Sequence, residues 1–190
     1  MMNTILFYIG SYFIGNLLTA HIIVKFIRKK GDIHTQGSGN PGARNIGRLY
    51  GKKAFVITFL GDALKGCFVI LIGRILNLSE IELLLGLTLA VLGHIKPIIF
   101  HLKGGKGVST FIGGIITFEP LLALLIIIVF LIIYPLTKSF TIAGLASFCM
   151  IPVAVLYFYK SIDLLFVLST LIVIIILAHS ENLFKKIGHT

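Results

Sequence analysis

The sequence has no tryptophan, two cysteines and seven acidic side chains in 190 residues, and each shortage removes a class of protein. Charged residues make up 13% of the chain, about half the share an ordinary soluble domain carries. Cys67 and Cys149 stand far apart inside apolar runs, with no CxxC spacing, so neither a disulfide framework nor a redox pair is drawn; two buried thiols is the simpler account. His21, His34, His94, His101, His179 and His189 show no metal-ligand spacing, and neither a metal nor a cofactor is expected. There is no internal repeat and no low-complexity linker, so residues 1–190 are taken as one polytopic membrane domain.

What the chain has instead is apolar sequence, 57% hydrophobic with a mean hydropathy of +1.03. That content needs lipid around it. The runs are too long and unbroken for barrel strands, and backbone groups in hydrocarbon must be satisfied internally, so the spans are helices. The fold class is an all-α membrane protein of about seven transmembrane helices with glycine-rich loops, at roughly 4–27, 54–73, 82–100, 108–118, 121–136, 141–158 and 162–178. The first run lacks a basic leader and is followed by further spans, so it reads as a retained helix. The fourth is too short to cross upright, which leaves a half-helix, a tilted segment or a re-entrant piece. Glu119 and Pro120 end it.

Alternating these spans puts Arg28, Lys29, Lys30, Arg44, Arg48, Lys52, Lys53, Lys103, Lys106, Lys138, Lys185 and Lys186 on one side, leaving Arg74 and Lys160 on the other. The positive-inside rule then makes the basic side cytoplasmic, with the N-terminus outside, in a bacterial inner membrane. A formal charge of +10 would suggest nucleic acid in a soluble protein. Here the charges sit in short loops between spans, so no nucleic-acid partner is expected; membrane lipids and phosphorylated substrates account for them better.

Three segments on the basic side are more than connectors: 31–53, 93–110 and the tail from His179. In the first, GSGNPG at 37–42 lets the backbone approach a ligand and present N–H groups, although a flexible loop needs the same residues. Arg44 and Arg48 follow at i,i+4 if the chain turns helical there, which would suit a phosphate. In the second, KGGKG at 103–107 fails the Walker pattern at Phe100 and Gly107, so ATP is not implied. What remains is a glycine turn, Lys106, and Val108-Ser109-Thr110 opening a helix whose first amides attract anions. A basic turn that fixes topology is the plainer alternative.

Asp62 and Lys65 lie inside an apolar run, where a charge is costly; they pair at i,i+3, either as an interfacial ion pair or as the lining of a polar cavity. His179 and Asn182 share a face where the last span leaves the membrane, in position to cap that helix or to work as acid or base. No catalytic triad is available, since Ser38 lies in GSG rather than GxSxG. No histidine has the aspartate of an HxxxxD pair; Ile99 and Gly39 occupy those places.

Read in order, GSGNPGARN, GDALKG, GHIKPIIFHLKGGKGVST and HSENL resemble the motifs of the bacterial acyl-phosphate:glycerol-3-phosphate acyltransferase family, namely SGNxGATN, GDxxKG, GHxFPxFxxFKGGKGVAT and HRxNI. The resemblance covers nearly the whole chain. It implies transfer of a fatty acyl group from acyl phosphate to the 1-hydroxyl of glycerol 3-phosphate, giving lysophosphatidic acid and phosphate, the first step of phospholipid synthesis. Carried over, it makes Ser38, Lys106, His179 and Asn182 catalytic. Gly37, Gly39, Asn40, Gly42, Asn45, Arg48, Gly104, Gly105, Gly107 and Thr141 would hold substrate phosphates and glycerol, with Asp62, Lys65 and His94 standing behind them. The proton acceptor is either His179 or a substrate phosphate. The chain departs from the pattern at Arg44, Lys96, His101, Ala178 and Ser180, and ends GHT where a glutamate is expected. The rival from another class is a transporter of a phosphorylated solute, which would need a site reachable from both sides; a structural or regulatory subunit would be indifferent to loss of Ser38 or Lys106.

Overall fold

The computed structural model describes residues 2–27 and 33–187, with side chains described through Ser180. Among the described residues nine α-helices follow one another: α1 (Met2–Asn16), α2 (Thr19–Phe26), α3 (Ala43–Tyr50), α4 (Lys52–Ile75), α5 (Glu80–Ile95), α6 (Val108–Phe118), α7 (Pro120–Thr137), α8 (Phe140–Phe158) and α9 (Ile162–Ile187). Short 3-10 turns occur at Ile33–Thr35 and Ile98–Phe100. Among the described residues six segments are long and apolar enough to cross a bilayer: Met2–Phe26, Lys52–Ile75, Glu80–Phe100, Pro120–Thr137, Phe140–Phe158 and Ile162–Ser180. Val108–Phe118 is the shorter apolar helix.

Local chemistry sets most of the boundaries. Ser79 and Glu82 form a capping box at the head of α5, with the Ser79 N–H donating to Glu82 Oε2 at 2.9 Å. Glu119 accepts from the Leu121 N–H at 3.2 Å, and Pro120 opens α7 at a position where its missing N–H costs nothing. Gly51 and Gly107, at φ 88° and 76°, make the turns into α4 and α6, which a residue with a side chain would adopt only under strain.

The first span corrects the sequence reading, which took 4–27 as continuous. It breaks at Leu17 and Leu18 into α1 and α2. Neither leucine weakens the apolar pattern, so hydropathy reads straight through the break. Its cause lies on α4, where Asp62 and Lys65 take up the backbone groups that the break releases.

Helix α6 settles the short span. It begins beside the middle of α4, where Gly66 lies against Thr110 and Gly114, and finishes where the Arg74 guanidinium donates to Phe118 O at 2.9 Å. Eleven residues rise about 16 Å, half of a hydrocarbon core of about 30 Å. The other half of the crossing is made by 96–107, which dips in from the basic end. Between lie Ile70, Leu84, Leu87, Phe111, Ile115, Phe148, Ile151, Leu168, Leu171 and Ile175, all buried in one core. Phe111 and Phe148 meet edge to face at 4.8 Å in its middle. Large apolar side chains left outside the bundle, such as Leu60, Leu64, Phe68, Ile127 and Leu131, face where lipid would be.

A smaller cluster fastens the first loop. Ala20, Ile23, Val24, Ile33, Ile46 and Ala54 pack together, so the inner face of α3 and the turn at 33–35 lie on α2 and the head of α4.

Candidate functional site

The loop at 36–45 is held from within by one side chain. Asn45 Oδ1 accepts from the Ser38 N–H at 2.9 Å, and Asn45 Nδ2 donates to Gln36 O at 3.1 Å. Gly37 and Gly39 take φ values of 61° and 69°, and the Gly39 N–H returns to Gln36 O at 3.0 Å. This closes a tight turn with Ser38 exposed at its tip. Asn40 and Gly42 continue it into α3; Gly42 is the N-cap residue. The conditional helix of the sequence reading is real, so Arg44 and Arg48 share a face of α3, both exposed. Arg44 donates to Thr141 Oγ1 at 3.0 Å, which joins α3 to the head of α8.

The second turn has no clamp of its own. Its backbone hangs on the end of α5: the Gly104 N–H donates to Ile95 O at 3.2 Å and the Gly105 N–H to His94 O at 2.9 Å. A methyl group at Gly104 would fall on His94 O, and one at Gly105 on the His94 ring, so both glycines are required by close approach. Lys106, half-buried, follows them, and Gly107 turns the chain into α6. The two turns are linked through aromatic contacts: His21 stacks on Phe100 at 4.1 Å and lies 5.5 Å from the His34 ring.

His179 is buried, and Lys106 is close enough for its charge to act on the ring. Its Nδ1–H donates to Ile175 O at 2.8 Å, one helical turn back. That leaves Nε2 as an acceptor. The sequence reading set His179 in the last turn, where it could cap the helix. In the structure α9 runs on to Ile187, so the residue serves a mid-helix position and capping is excluded. The Asn182 backbone lies in α9, and its side chain is outside the described ones.

Asp62, Lys65 and His94 do come together. Lys65 Nζ is 3.0 Å from Asp62 Oδ1 and 2.8 Å from His94 Nδ1. The interfacial alternative for the ion pair fails, because Asp62 sits roughly ten residues along α4 from Lys52, about 15 Å in. Sequence reasoning missed the partners on the first span, Gly15, Leu17 and Thr19. It also missed Tyr12, whose hydroxyl donates to Lys96 O at 2.7 Å, and Asn16, which accepts from the Ile99 N–H at 3.5 Å. The one available signal was polar residues inside an apolar run.

These features define an integral membrane protein that gathers cations, glycine turns and a histidine acceptor at one end of a helical bundle, where phosphorylated molecules can meet lipid. The family model for glycerol-3-phosphate acyltransferase matches residues 5–188. A "Glycerol-3-phosphate acyltransferase 1" of Bacillus cereus is 48% identical over 180 residues, covering 93% of this chain and 97% of that protein. The Neisseria gonorrhoeae glycerol-3-phosphate acyltransferase is 35% identical, covering 93% and 90%. The crystal structure of PlsY (YgiH), an integral membrane glycerol 3-phosphate acyltransferase, in its glycerol 3-phosphate form superposes with a TM-score of 0.87 at 28% identity, covering 98% of this chain and 93% of that one. Its lysophosphatidic acid form gives 0.86. The chain belongs to the glycerol-3-phosphate acyltransferase family.

Proposed function

We propose that this protein transfers a fatty acyl group from acyl phosphate to the 1-hydroxyl of glycerol 3-phosphate, releasing lysophosphatidic acid and inorganic phosphate. The observation that carries the reading is a buried His179, its Nδ1–H tied to Ile175 O at 2.8 Å, within electrostatic reach of Lys106 on its glycine turn. The related PlsY structures in glycerol 3-phosphate and lysophosphatidic acid forms support the acceptor and the product.

Acyl phosphate is an activated donor, so the chain has only to orient two anions and neutralise charge. The glycerol hydroxyl attacks the acyl carbon, the bond from that carbon to the phosphate oxygen breaks, and phosphate leaves with the bonding pair. Lys106, presented by the turn that Gly104, Gly105 and Gly107 shape, stabilises one phosphate; Ser38, Arg48 and the turn from Gly37 through Asn45 take the other. The hydroxyl proton passes to His179 Nε2, which Ile175 O holds in the tautomer able to receive it, with Asn182 and Thr141 completing the pocket. The apolar core above the second turn, filled by Phe111 and Phe148, favours an enzyme opening to one side over a carrier.

The test is to supply purified protein with labelled glycerol 3-phosphate and, in separate reactions, palmitoyl phosphate, palmitoyl-CoA or palmitoyl-acyl carrier protein. Lysophosphatidate should form with palmitoyl phosphate; product only from a thioester would replace the donor. The basic end belongs on the cytoplasmic side of a bacterial inner membrane, and the charge asymmetry supports this. In a cysteine-free background, an impermeant maleimide added to spheroplasts should label Lys160→Cys and spare Lys53→Cys.

A further inference from the structure

Asp62, Lys65 and His94 are 1%, 5% and 3% exposed, and acyl transfer as described gives none of them a task. Asp62 and Lys65 lie near the middle of α4 inside the bundle, where charge persists only when paired. In an unbroken first span the Thr19 N–H would bond the Gly15 carbonyl, four residues back. That bond is replaced by the ion pair. Thr19 N and Oγ1 donate to Asp62 Oδ1 at 3.4 and 3.0 Å, while Lys65 Nζ donates to Gly15 O and Leu17 O at 3.3 and 2.9 Å. Carboxylate therefore meets the positive end of α2 and ammonium the negative end of α1.

The remaining contact reaches the substrate side. An ammonium has no lone pair, so Lys65 Nζ also donates to His94 Nδ1 at 2.8 Å, its three hydrogens being shared among the two carbonyls, the carboxylate and the ring. The ring hydrogen is then on Nε2. That nitrogen abuts Gly105, in the place a β-carbon would take. The ring and the 94–95 carbonyls together hold the glycine pair on which Lys106 follows.

We propose that Asp62, Lys65 and His94 are positioning residues for the 104–107 turn: the split in the first span fixes Lys65, Lys65 fixes the His94 ring, and the ring sets the turn that presents Lys106 to a substrate phosphate. This rests on the acyl-transfer reading for its kinetic readout.

The experiment is a double-variant cycle on the full-length protein in detergent. His94→Asn keeps an acceptor for Lys65 and withdraws the ring from Gly105; Gly105→Ala inserts a methyl where the ring stands. Each should raise KM for the same one of the two phosphorylated substrates about tenfold, with kcat changing less than about threefold, and the double variant should be no worse than the poorer single one. Additive losses, unchanged KM values, or a fall confined to kcat would overturn the proposal. If His94→Asn does not purify as a monodisperse species, His94→Gln takes its place in the cycle. A wild-type protein without turnover would defeat the acyl-transfer reading instead. The positioning proposal is then read from dissociation constants for glycerol 3-phosphate and inorganic phosphate in the same variants, with the same non-additivity expected and additivity overturning it.

Discussion

The two glycine turns at the basic end are built in opposite ways. The first closes on itself: Asn45 holds Ser38 and Gln36, and nothing beyond α3 is needed to shape it. The second is shaped from outside by the last carbonyls of α5 and by the His94 ring, which is tied through Lys65 to the broken first span. A turn shaped from within keeps its form through its own hydrogen bonds, with its flanks at Ile33 and Ile46 fastened to α2 and the head of α4. A turn held from outside moves only if the bundle moves, and it lies at the depth of a buried ion pair. Sensitivity to substitution should therefore differ between them.

The largest effect is expected at the second turn. Gly104→Ala places a methyl on the His94 carbonyl, and backbone there has nowhere to go, so kcat/KM for lysophosphatidate formation should fall about a thousandfold, roughly 4 kcal/mol of transition-state stabilisation. Lys106→Ala keeps the turn and removes its charge; a loss of a few hundredfold, as for one preorganised electrostatic donor, is expected in the same assay. Asn45→Ala removes two hydrogen bonds that shape the first turn, at about 1 kcal/mol each, so about thirtyfold should be lost. If Asn45→Ala cost as much as Gly104→Ala, the contrast between the turns would be broken.

The smallest effect concerns the departure at Arg44. Its bond to Thr141 joins α3 to α8 across an exposed contact. Restoring the threonine of the resembling families with Arg44→Thr should change kcat/KM no more than about threefold. A larger change, measured with donors of different chain length, would sharpen the comparison by giving the first turn a partner outside itself.

Much of this was legible in the sequence because it is local. Glu119 and Pro120 do separate two helices, Val108 does open one, and Asp62 and Lys65 do pair. Those features depend on neighbours within a turn or two. The break at Leu17 and Leu18 was not legible, because the residues that replace the Thr19 to Gly15 bond come from α4. Nor was the depth of the 96–107 segment, which depends on where α6 starts against Gly66. The hydrogen bonds of Tyr12 and Asn16 to 96–99 belong to the same tertiary layer.

The central claim, that Lys106 on its turn and His179 form the reacting end of one site, is tested most directly by the initial rate of lysophosphatidate formation from palmitoyl phosphate and glycerol 3-phosphate. Wild type should turn over, with Lys106→Ala and His179→Gln each at least about a hundredfold slower and the double variant little slower than either. Rates within about twofold of wild type in either single variant would contradict it.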